Sequence, residues 1–102
     1  MLKVTLHRDD QAVILQMEGR LAGNTVPEAE RCWEAALVEH PERPVRIDLR
    51  AVTFIDREGI DLLKRAYHQG AGFVSSGCLT RAYVEEVTQG SQNSGDQGRN
   101  RR

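Results

Sequence analysis

Ile47-Asp48-Leu49-Arg50-Ala51-Val52-Thr53-Phe54-Ile55-Asp56-Arg57-Glu58-Gly59-Ile60 runs from an apolar extended segment straight into the start of a helix. Val45, Ile47 and Leu49 alternate with Arg46, Asp48 and Arg50, the period of a half-buried strand. Val52-Thr53-Phe54-Ile55 prolongs the extended run. Asp56 then stands where an N-cap is needed, because its short carboxylate can accept a first-turn N–H. Glu58 falls in that first turn, where the helix dipole favours an acid by about 0.3–1 kcal/mol. Gly59 removes a side chain where the backbone of a partner can approach.

Reading outward toward the C-terminus, a helix is predicted over residues 57–69. Ile60, Leu63, Ala66 and Tyr67 share one face, with Leu62 adjoining. Gly70 suits its C-terminal cap. Residues 71–75 form a short strand. Residues 79–88 form a last helix, with Leu79, Tyr83 and Val87 in register and Ser76 or Thr80 to cap it. From residue 89 the chain has no aliphatic or aromatic side chain. Such a segment cannot repay the entropy of ordering. The expected division is a domain over 1–88 and a disordered polar, basic tail over 89–102.

Reading outward toward the N-terminus, Pro44 precedes the central strand and Pro41 ends a helix. That helix opens at Thr25-Val26-Pro27-Glu28, which has the form of a capping box. Val26, Ala29, Trp33, Ala36, Leu37 and His40 make its apolar stripe. A loop is expected over 19–24, and a strand over 12–18. Leu2, Val4 and Leu6 alternate in a first strand, with turn chemistry at Asp9 and Asp10 between the two strands. The short connection implies an antiparallel hairpin. The helix between the second and third strands implies a parallel pairing. The fold class is therefore α/β, a four-stranded mixed sheet with helices packed mainly on one face.

The chain has 102 residues, enough for one domain with its own core. A formal net charge of -1 gives no argument for nucleic-acid binding. The tail arginines Arg99, Arg101 and Arg102 read as solubilising charge. Cys32 and Cys78 stand far apart, outside any C-x-x-C pattern, and read as free thiols in a reducing compartment. No stretch is long and apolar enough to span a membrane, and the chain opens on a strand with no signal segment. A cytoplasmic location follows as the expectation. His7, His40 and His68 lie on separate elements with no nucleophile motif beside them, so no enzymatic activity is expected. Asp56, Glu58 and Asp61 do not share one line on the helix, so no metal site is assigned to them. The acidic helix start disfavours phosphate, and no cofactor is expected.

Residues 47–60 resemble the signature of STAS domains, the family of anti-sigma factor antagonists. Leu15-Gln16-Met17-Glu18-Gly19-Arg20-Leu21 is similar to the family's L-x-G-x-L element with one extra residue. Trp33-Glu34-Ala35-Ala36-Leu37 and residues 64–71 are similar to parts of its first two helices. The resemblance spans about residues 2–88 and implies the STAS fold. It also implies a non-enzymatic module that docks a kinase-type anti-sigma factor, and a serine at the second-helix start whose phosphorylation blocks docking. Asp56 matches the motif's aspartate, Gly59 its glycine and Glu58 its phosphoacceptor, while Arg57 replaces the preceding serine. Glu58 has no hydroxyl, so phospho-switching there is lost. The expected docking surface comprises Asp56, Arg57, Glu58 and Gly59, with Asn24 in the loop over 20–25. Two alternatives stand beside this reading: a STAS subunit of a larger assembly such as a lipid-transport ATPase complex, and a small-ligand or nucleotide-binding module.

Overall fold

A computed structural model describes residues 1–75 and 77–93. The elements follow in the order β1 (Leu2–Arg8), β2 (Val13–Leu21), α1 (Thr25–Glu39), β3 (Val45–Ile55), α2 (Arg57–His68), β4 (Gly72–Val74) and α3 (Gly77–Asn93). The sheet order is β1-β2-β3-β4. β1 and β2 are antiparallel, whereas β3 runs parallel to both β2 and β4. The expected mixed four-stranded sheet with three helices is the observed one.

One face of the sheet carries the core. Val13, Leu15, Met17 and Leu21 of β2 and Val45, Ile47 and Leu49 of β3 are buried there. They cluster with Val26, Ala29, Trp33 and Ala36 of α1, Ile60, Leu62, Leu63 and Ala66 of α2, and Val87 of α3. The helices therefore share that face, as the apolar stripes of α1 and α2 require. The opposite, open face is polar and presents Lys3, Thr5 and His7 beside Gln16 and Glu18. Its exposed contacts include a His7–Gln16 side-chain hydrogen bond of 2.8 Å.

β3 departs from simple alternation. Its eleven residues lie beside the nine of β2, through register shifts between Gln16 and Glu18 and between Gly19 and Arg20. Each shift inserts one residue into β3, so the core-facing step lengthens from two to three. The buried apolar positions become Val45, Ile47, Leu49, Val52 and Ile55. β2 also runs past residue 18 to Leu21, where a loop was expected, because Arg20 and Leu21 pair with Phe54 and Ile55. Gly19 permits this extension. Its φ is 107°, and a Cβ there would collide with the carbonyl oxygen of Met1.

Asp48, read as an outward residue by alternation, is only 4% exposed. It sits on the open face, held by Arg50. The guanidinium reaches both carboxylate oxygens at 2.8–3.2 Å, and the Arg50 N–H donates to Oδ1 at 3.0 Å. That pairing, the Arg50 side-chain bond first, holds the Asp48 carboxyl below the usual range. A buried acid with this many donors is satisfied and costs little.

Two helix ends repay comparison with the sequence. α2 closes as expected at Gly70, whose φ is 99°. Ala71 N–H donates to Ala66 O and Gly70 N–H to Tyr67 O, the paired bonds of a Schellman motif. α1 does not open as expected. Thr25 lies inside the helix and Asn24 is the N-cap residue, with no side-chain cap bond. The Thr25 hydroxyl turns back: its single proton lies within reach of Arg20 O at 2.8 Å and Ala22 O at 2.9 Å, and its oxygen accepts the Ala22 N–H at 2.9 Å. It spends its capacity on the β2–α1 loop, so the capping box is not formed. α3 continues past residue 88 to Asn93. Adding one bond per residue to an existing helix is cheap even for polar residues. The expectation for the tail beyond residue 93, and those for Ser76, Cys78 and Thr80, lie outside the described residues and side chains. Cys32 is a half-buried free thiol.

Leu63 is wholly buried where α2 meets the sheet. Leu63→Ala is expected to lower stability by about 2–5 kcal/mol, read from urea unfolding of both proteins.

Candidate functional site

β2 and β3 are parallel and end side by side at Leu21 and Ile55. The β2–α1 loop and the start of α2 therefore leave the same end of the sheet. In sheets of this kind, the carboxyl ends of parallel strands are where binding surfaces collect.

Asp56 joins the two connections. Its backbone is extended at φ -91°, ψ -174°, the conformation of an N-cap residue. Oδ1 accepts the Gly59 N–H at 2.8 Å, and Oδ2 accepts the Gly23 N–H at 2.9 Å. The Asp56 N–H donates to Leu21 O at 3.2 Å. The Gly59 bond first, then the Gly23 bond, hold the Asp56 carboxyl below the ordinary aspartate value. Asp56 is thus the cap that the sequence indicates and also a bridge to the loop.

Gly59 faces inward. A Cβ at Gly59 would stand 2.6 Å from Leu21 O and 2.7 Å from Ile55 Cγ2. The glycine lets α2 start directly against the end of β2, so the close approach it serves is within this chain. Arg57 and Glu58 are exposed on the outer side of the same turn. Neither side chain has a hydrogen bond or ion pair with the described residues. Asn24 is exposed at the tip of the loop, beside Gly23, whose φ is 58°. Of the five residues assigned to the surface, Asn24, Arg57 and Glu58 are the outward ones, and Asp56 and Gly59 hold them in place.

Phe54 belongs to this end of the molecule and was missed from the sequence. It keeps 37% of its surface exposed. The Arg20 guanidinium carbon lies 4.6 Å from its ring centroid. At an exposed site such a cation–π contact contributes about 0.5–1 kcal/mol. Simple alternation from Val52 would turn Phe54 into the core. The register shift at Thr53 turns it out instead, and no local pattern signals that shift. Thr53, the nearest hydroxyl to Glu58 along β3, donates to Gly19 O at 3.1 Å.

Among the described residues, no group of three His, Cys, Asp or Glu side chains could hold a metal ion. Among those same described residues, no helix is long and apolar enough to cross a membrane. An open hollow of about 440 Å³ lies among Arg8, Asp9, Asp10 and Arg43, at the other end of the sheet.

The model of the STAS domain family matches residues 3–71. A search of curated proteins finds no match. Among solved structures, an anti-sigma factor antagonist from Mycobacterium paratuberculosis is similar, with a TM-score of 0.76 at 23% identity, over 91% of this chain and 82% of that one. The anti-sigma factor antagonist SpoIIAA in its unphosphorylated form gives a TM-score of 0.60 at 14% identity, over 82% and 83%. A protein from Shewanella loihica described as having a SpoIIAA-like fold gives 0.56 at 15% identity, over 97% and 84%. At these identities the likeness is one of fold.

Two outcomes follow from the geometry. Alanine is the better helix former by about 1 kcal/mol, yet Gly59→Ala is expected to destabilise the domain by about 1–3 kcal/mol, because the new methyl meets backbone. Thermal unfolding followed by circular dichroism reads the sign. A carboxyl depressed in the folded state stabilises the fold above its unfolded value, and that contribution is lost as pH falls through the folded value. The amide resonances of Gly23 and Gly59 should therefore titrate together, with a midpoint below the ordinary aspartate value. In Asp56→Asn both titrations vanish. One of the two clamps is lost as well, because an amide has a single acceptor oxygen.

Proposed function

The chain belongs to the STAS domain family, and on that footing we propose that it is a non-enzymatic regulatory module that docks a kinase-type anti-sigma factor in the bacterial cytoplasm. Docking uses the start of α2, with Arg57 and Glu58 outward, Asn24 beside them, and Asp56 and Gly59 as their support. The observation that carries the reading is the unspent carboxylate of Glu58, which is exposed on a turn whose backbone is clamped by Asp56.

Glu58 stands where the family pattern carries its phosphoacceptor serine. A phosphoserine brings about −1.5 to −2 charges and three acceptor oxygens, so one carboxylate imitates it poorly. A chain held permanently in a non-binding state has no evident use. A partner that meets Glu58 with an Arg or Lys gives the acid a function, through a charge-assisted hydrogen bond. On this reading the surface binds without a phosphorylation switch at this position. Rigid presentation favours the same use, since a side chain on a pre-ordered turn loses less freedom on binding.

The test is calorimetric titration of the wild type, Glu58→Ser and Glu58→Lys with each purified kinase-type anti-sigma factor of the source organism. Binding by the wild type that weakens at least tenfold with Glu58→Lys is the expected result, a change of about 1.4 kcal/mol. Binding by Glu58→Ser alone would mean that the acid mimics the phosphorylated state. Binding by none of the three overturns the docking reading.

A further inference from the structure

The strongest unexplained feature is the exposed pair Arg20 and Phe54. Phe54 is a large apolar ring turned outward by a register shift, at the strand end that leads into α2. Bulges of this kind re-aim side chains beside functional sites. Leaving an aromatic ring part-exposed is unfavourable by itself. Arg20 is its paired residue on β2 and lies over the ring. The Arg20 guanidinium has no carboxylate partner among the described residues.

The backbone under this pair is tied down at several points. The Arg20 N–H donates to Met1 O at 3.1 Å, and Arg20 O accepts the Thr25 hydroxyl at 2.8 Å. Gly19 O accepts the Thr53 hydroxyl at 3.1 Å. Two residues beyond Phe54, Asp56 clamps both connections. Arg20 and Phe54 thus form a preordered platform on the open face, continuous with the start of α2. A guanidinium held over a ring still has N–H donors to offer a carboxylate. The ring beside it offers apolar area that costs little entropy to bury.

We infer that Arg20 and Phe54 are the second half of the docking surface, binding a segment of the protein partner that presents a carboxylate to Arg20 and an apolar side chain to Phe54. This rests on the docking role proposed for the start of α2. Glu58 then takes a cation of the partner while Arg20 takes an anion. The two opposite charges fix the orientation of the bound segment, and reversing it would set like charges together.

The same purified anti-sigma factors serve as the probe, titrated with Arg20→Ala, Arg20→Lys, Phe54→Ala and Phe54→Leu beside Glu58→Lys. Phe54→Ala and Arg20→Ala are expected to weaken binding at least tenfold, and Phe54→Leu less than Phe54→Ala. Arg20→Ala should also flatten the salt dependence of Kd, a change that lost packing alone does not produce. Arg20→Lys should recover the salt dependence but only part of the affinity. Thermal melts of the free proteins identify any variant whose loss comes from unfolding, and the Phe54→Leu and Arg20→Lys pair then decides. Binding that Glu58→Lys weakens while every Arg20 and Phe54 variant leaves it unchanged overturns this inference alone. Absence of wild-type binding overturns the docking role itself.

Discussion

One carboxylate holds two parts of the chain that lie thirty-three residues apart: Asp56 caps α2 through Gly59 N–H and anchors the β2–α1 loop through Gly23 N–H. The end of the molecule where β2 and β3 finish depends on this pair of hydrogen bonds. It requires α2 to begin almost against Leu21, and that approach requires Gly59. It also requires β2 to reach Leu21, so that β2 and β3 end together. Once these conditions hold, the outward direction of Arg57 and Glu58 is settled by the first turn of the helix. An acid in that turn is compatible with the dipole, so presenting Glu58 there does not strain the helix.

The two insertions in β3 shape the rest. They let an eleven-residue strand lie beside a nine-residue one, and they change which side chains face the core. Between them the open face receives Asp48 with its Arg50 partner and, at its far end, Phe54 under Arg20. Both set an arginine against a neighbouring side chain on a face no helix covers. They differ in what they leave unsatisfied. Asp48 and Arg50 satisfy each other, so that pair is a structural feature of the sheet. Phe54 stays part-exposed and Arg20 has no carboxylate partner among the described residues, so that pair is left with unused capacity.

Much of this was legible in the residues. The order of elements, the hairpin, the parallel crossover from β2 to β3 and the apolar stripes of α1 and α2 all follow from periodicity. The Asp56 cap and the Gly70 turn follow from chemistry within four residues of each helix end. The family resemblance rests on the same block, residues 47–60, and the match over residues 3–71 bears it out. Thr25 shows where such reasoning fails. Its sequence context is that of a cap, yet its hydroxyl is claimed by Arg20 O and Ala22 O once the loop folds over.

Local rules weigh neighbours a turn or a pleat away, and they therefore determined helices, strands, caps and the fold class from the chain alone. The extension of β2 to Leu21, the burial of Asp48, the outward turn of Phe54 and the second bond of Asp56 were decided only in three dimensions. Each depends on a group that is near in space through pairing across the sheet, such as Gly19 with Thr53 or Gly23 with Asp56. A register shift of one residue exchanges the faces of every side chain beyond it, and its position is set by the partner strand. That is why the part of the proposed docking surface at residues 56–59 was readable from the chain, while the Arg20–Phe54 pair appeared only with the sheet assembled.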